Sequence, residues 1–233
     1  MDKQLISIKG LLEKHIEALY IMNSQSKLVA INEPWDKTKP APKLYIGKTI
    51  DGNIIYRFAC NVPFGLIKKI EIYLNKELIN DKIEYIQEYS EILNSNNNVE
   101  EIIYYFDYIK HNLIENCIQI NEDNIKEHAL KDFKWLKDEI KYCQPCYGII
   151  NNRQIISICR SVRITKEAHE AGIETIEKYR GNDLARKVLI NWATNVIERG
   201  CIPLYSTLKE NISSKRVAEK TLLKKIGIGI SIK

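Results

Sequence analysis

The chain has no apolar run of the roughly 18 residues that a membrane-spanning helix requires. Its first helical segment carries charges throughout, at Lys9, Glu13, Lys14 and Glu17, where a secretory leader would be unbroken apolar sequence. These two absences lead to the expectation of a cytoplasmic protein without membrane contact. No block of positive charge is present either. The net charge of +5 is modest, and lysines and glutamates are mixed along the helical segments. That is the pattern of a solvated surface, so no nucleic-acid partner is expected. The six cysteines, Cys60, Cys117, Cys143, Cys146, Cys159 and Cys201, sit mostly in apolar, strand-like contexts. In the cytosol they read as small hydrophobes and not as a disulfide framework. The pair Cys143-Gln144-Pro145-Cys146 lacks the second pair a zinc site needs, and it enters a strand whereas redox pairs open helices. His15, His111, His128 and His169 have no ligand spacing. No metal is therefore expected. His169, read as lying in a loop, is either solvated or turned toward a substrate. There is no internal repeat.

The composition, 45% hydrophobic and 28% charged, is that of a folded globular chain. Its length suits one large domain or two small ones. Apolar spacing predicts a helix over 3–21, strands over 27–32, 43–47 and 53–59, and helices over 63–75 and 81–93. The prolines Pro34, Pro40 and Pro42 mark a loop, and 94–98 is a second polar loop. The aromatic run Tyr104 to Tyr108 fits helix or strand. From about residue 114 the order is regular: a strand at 117–120, helices at 121–128 and 131–141, then strands at 145–150 and 154–162 joined by a tight turn at Asn151-Asn152-Arg153. A strand at 172–177, a helix at 182–198, a strand at 202–206, a helix at 211–225 and a strand at 226–232 follow. The fold class is α/β (α+β), a mixed central sheet flanked by helices. A smaller N-terminal α/β region, residues 1–113, is expected to pack on a core at 114–233.

The most informative stretch is Glu174 to Lys220. At Tyr179-Arg180-Gly181-Asn182-Asp183-Leu184-Ala185 a strand ends, the chain turns, and a long helix begins. Such a turn leaves backbone N–H groups unpaired and pointing outward, which makes a seat for a phosphate.

This element order, with Arg180-Gly181 at the strand's end, resembles the GNAT superfamily of acetyl-CoA-dependent N-acetyltransferases. Gln144-Pro145-Cys146, Ile155 to Cys159, Glu174-Thr175 and Ile202-Pro203-Leu204-Tyr205-Ser206-Thr207 resemble a bacterial subfamily with an extra N-terminal region. Asn32-Glu33-Pro34, Tyr45-Ile46-Gly47-Lys48-Thr49 and Gly52-Asn53 are similar to that region. The resemblance implies acetyl-CoA as cosubstrate and an unidentified amine as acceptor. It implies that Arg180, Gly181, Asn182, Asp183, Leu184 and Ala185 hold the pyrophosphate. Glu174, Thr175 and Ile176 would pair with the pantetheine arm like an added strand. Asn211 and Ser214, opening the next helix, match the family's second cofactor motif, though the same residues also suit a helix cap. Direct attack of the amine on the thioester needs a base and a donor to the leaving sulfur. Glu174 is the candidate base and Tyr205 the candidate donor, against readings as a structural glutamate and a packed tyrosine. The rival is a non-catalytic protein that binds CoA or a partner on the same fold.

Two residues depart from the family pattern. Asp183 stands where the family has glycine. Two unit charges about 4 Å apart repel by roughly 4 kcal/mol at an effective dielectric of 20, and by about 1 kcal/mol in water. The stretch Glu219 to Lys225 lacks the glycine that usually follows the second motif.

Overall fold

The computed structural model describes residues 6–80, 83–107 and 114–233. The N-terminal part runs α1 (Ile8–Leu19), β1 (Tyr20–Met22), β2 (Leu28–Ile31), β3 (Leu44–Thr49), β4 (Ile54–Phe58), α2 (Phe64–Asn80), α3 (Ile86–Ile92) and β5 (Asn98–Tyr105). The remainder runs β6 (Ile118–Gln119), α4 (Leu136–Glu139), β7 (Cys146–Asn151), β8 (Gln154–Ile164), β9 (Ala168–Thr175), α5 (Leu184–Glu198), β10 (Ile202–Leu208), α6 (Ile212–Lys220) and β11 (Lys224–Ile232). The undecided aromatic run is strand as far as Tyr105; Tyr108 lies outside the described residues, as do Leu5 and His111.

Nine strands form one sheet in the order β4-β3-β11-β5-β10-β9-β8-β7-β6, and β1 and β2 form a separate pair. Strands from both halves of the chain share the large sheet: β5 lies between β11 and β10. The pairing of β9 with β10 is parallel, and the other pairings in the sheet are antiparallel. Parallel neighbours need a crossover, and α5 supplies it. The β9–β10 register runs from Ala168–Ile202 to Glu170–Leu204 and stops there. Beyond it β9 continues on β8 as far as Thr175, and β10 continues on β5 as far as Leu208. The two strands therefore part after Glu170 and leave a fork in the sheet.

Alternation of side chains divides the core between the two faces. Ile103, Ala168 and Leu204 pack with Leu11, Leu12 and Ile16 of α1. Their neighbours Tyr104, Ala171 and Tyr205 pack with Val188, Leu189 and Trp192 of α5 and with Ala218 of α6. Phe133, Leu136 and Ile140 form a third cluster with Ile155 and Ile158.

The segment between β6 and β7 is less helical than its sequence suggests. Over 121–128 there is only a 3-10 turn at Ile125–Glu127, and over 131–141 only the single turn of α4. Asn121 Oδ1 accepts from the N–H groups of Asp123 and Asn124, and Asn124 Oδ1 accepts from Asn121 N–H. Side chains that take backbone donors in this way compete with helix. Ala129 also bonds backbone to backbone with the β8 edge, through Arg153 and Ile155. The turn joining β7 and β8 is the expected tight one: Asn152 and Arg153 both take positive φ, 47° and 64°, the geometry of a type I′ hairpin.

Candidate functional site

A cleft of about 1120 Å³ opens where β9 ends, bounded by the N-terminal ends of α5 and α6. That exceeds the common range for a small-molecule pocket, roughly 300–1,000 Å³. Eleven of the residues singled out in the sequence line it: Glu174, Thr175, Ile176, Arg180, Gly181, Asp183, Leu184, Ala185, Tyr205, Asn211 and Ser214. Asn182 is not among the lining residues; its Nδ2 donates to the carbonyls of Tyr179 and Arg180 and braces the turn from behind.

The strand expected to reach 177 ends at Thr175, and a 3-10 turn at Glu177–Tyr179 leads to Arg180. Arg180 Nε donates to the Thr175 carbonyl at 3.3 Å, which folds the turn back over the strand end. Gly181 has φ +83° and open space where a Cβ would stand. Asp183 precedes the first residue of α5 with φ 60° and ψ 17°. This is the left-handed region, where glycine is at ease and aspartate is tolerated. The backbone thus accounts for the family's glycine at this place. The Asp183 side chain makes no cap bond; its Oδ2 accepts from Arg186 Nε at 2.6 Å. The carboxylate is therefore neutralised by a cation one turn along its own helix. The first N–H groups of α5 have no partner within the helix, and its dipole favours an anion there.

Six basic residues line the cleft, Lys131, Lys178, Arg180, Arg186, Arg216 and Lys220, against the acidic Asp132, Glu174, Glu177 and Asp183. Arg216 and Lys220 were not singled out in the sequence. The signal was present: Ser213, Arg216, Val217 and Lys220 are spaced 3, 4 and 7 apart, one face of a helix, and all four line the cleft.

Asn211 caps α6, with Oδ1 accepting from Ser214 N–H at 3.1 Å. Tyr205 is buried on the α6 side of β10, and its hydroxyl donates to the Ser214 carbonyl at 3.5 Å. Burial pushes its pKa up to about 12 against a smaller opposing effect of that hydrogen bond, so the hydroxyl stays protonated at neutral pH. Glu174 alternates to the opposite face, where its Oε1 accepts from Arg160 Nη1 at 2.7 Å. Arg160 lies over the Trp135 ring at 3.9 Å from its centroid.

His169 is neither a loop residue nor solvated. It lies in β9, buried, with Nδ1 2.9 Å from Ser161 Oγ, which accepts from Trp192 Nε1. Burial, with Arg199 adding to it, lowers its pKa to about 4 and keeps the ring neutral. Strand β9 starts four residues earlier than expected and takes His169 into the sheet. Cys143 and Cys146 are both buried, and the described residues hold no group of three or more His, Cys, Asp or Glu placed for a metal ion. No helix among the described residues is long and apolar enough to cross a membrane.

Fold and cleft together define a class, the acetyltransferase sheet with a fork beside a helix N-terminus. The chain belongs to the GNAT acetyltransferase family, whose model matches residues 69–222. A functionally unknown conserved protein from Staphylococcus epidermidis is similar in structure, with TM-score 0.51 and 13% identity over 98% of this chain and 97% of that one. A GCN5-related N-acetyltransferase-like protein from Streptococcus suis matches with TM-score 0.48 and 14% identity over 85% and 86%. A GNAT-family structure from Novosphingobium aromaticivorans matches with TM-score 0.48 and 14% identity over 59% of this chain; the chain spans 65% of that protein's length. No curated protein matches the chain.

Proposed function

We propose that the protein transfers an acetyl group from acetyl-CoA to an amine by direct attack on the thioester. The observation that carries this reading is the coincidence of three features: an open helix N-terminus at Leu184, a cation-lined cleft beside it, and the fork between β9 and β10 that leads into the cleft. The turn Arg180 to Ala185 would hold the pyrophosphate through backbone N–H groups, as helix N-termini hold anions. Arg216 and Lys220 would add charge for the remaining phosphate. The β10-side edge of β9 at Glu174 and Thr175, with Ile176 just beyond the strand end, would receive the pantetheine amides. Tyr205, protonated and in the cleft wall, would donate to the leaving sulfur. Asn211 and Ser214 would shape the floor at the start of α6.

A second reading is a non-catalytic CoA-binding or partner-binding protein, and Asp183 is the residue that favours it. One assay separates the two: acetyl-CoA binding measured by calorimetry, beside release of CoA thiol with a panel of primary amines. Binding with amine-dependent thiol release supports the enzyme. Binding with no release across the panel supports the rival.

A further inference from the structure

We draw no further inference here: the strongest candidate, the exposed apolar face of α2 at Phe64, Ile72 and Ile79, carries nothing because nothing in the structure shows what covers it.

Discussion

The two faces of the sheet keep their charges in opposite ways. On the α5 side, Asp183 and Arg186 form a pair whose side chains are each 31% exposed, at the lip of a cleft. On the α1 side, the fully buried His15 contacts the buried Glu170 and the part-buried Glu101. Solvent screens the first and leaves its partners free to re-pair with a ligand; burial fixes the second. The phosphate seat proposed for the α5 side would need cations that can turn toward an incoming anion.

Substitution is the most direct way to break this comparison. His15→Ala strands the buried Glu170 and the part-buried Glu101 and is expected to lower stability by about 3–5 kcal/mol in urea unfolding. Arg186→Ala removes a half-screened partner and is expected to cost less than about 1 kcal/mol. Equal losses would mean that burial does not separate the two pairs.

A pH scan sharpens it. Burial alone would lower the His15 pKa, but Glu101 and Glu170 outweigh it and raise the value to about 10. A base with a raised folded pKa contributes stability that is fully present below its unfolded pKa, about 6.5, and lost as pH rises through the folded value. The wild type should therefore lose thermal stability between about pH 6.5 and 10, and His15→Gln should lose less over that window. Parallel curves would show that His15 is not the titrating group.

Cleft cations come next in size. Arg216→Ala with Lys220→Ala should weaken acetyl-CoA about tenfold at low ionic strength, and less at high salt, because exposed charges are screened. A salt-independent loss would point to damage to α6.

The smallest effects belong to the backbone. Helix α5 ends on Gly200 at φ +81°, with Cys201 N–H donating to the Val196 carbonyl. Helix α6 ends in the same way on Leu222 at φ +58°, with Leu223 N–H donating to the Ala218 carbonyl. The missing glycine thus changes the residue at the helix end and not its geometry. Leu222 is exposed and held left-handed, so Leu222→Gly should raise stability by about 1 kcal/mol. Asp183→Gly should gain less, since aspartate tolerates this region and the Arg186 pair is lost with it.

Much of the α5 side was legible in the sequence, because a turn, a cap and a helix face are local patterns. The strand–turn–helix at 172–198 and the Asn211 opening of α6 are read from adjacent residues. Arg216 and Lys220 needed only the helical spacing from Ser213. The α1 side was not legible. His15, Glu101 and Glu170 are far apart in the chain, and nothing near His15 announces a carboxylate on either ring nitrogen. Only the strand order, with β5 inserted between β11 and β10, brings Glu101 within one strand of β9. His169 was misplaced for a related reason: an early strand start moved it from loop to core. The segment 121–141 has helical composition, but its asparagines take the backbone donors that helix would need.

Whether the turn at Arg180 to Ala185 still seats acetyl-CoA decides the account, and calorimetry of wild type and Asp183→Gly with acetyl-CoA measures it. The account predicts wild-type binding in the range of about 1–100 μM, with Asp183→Gly shifting it by less than about tenfold, because Arg186 already neutralises the carboxylate. Binding that is absent or about millimolar in the wild type, and restored by Asp183→Gly, would contradict it.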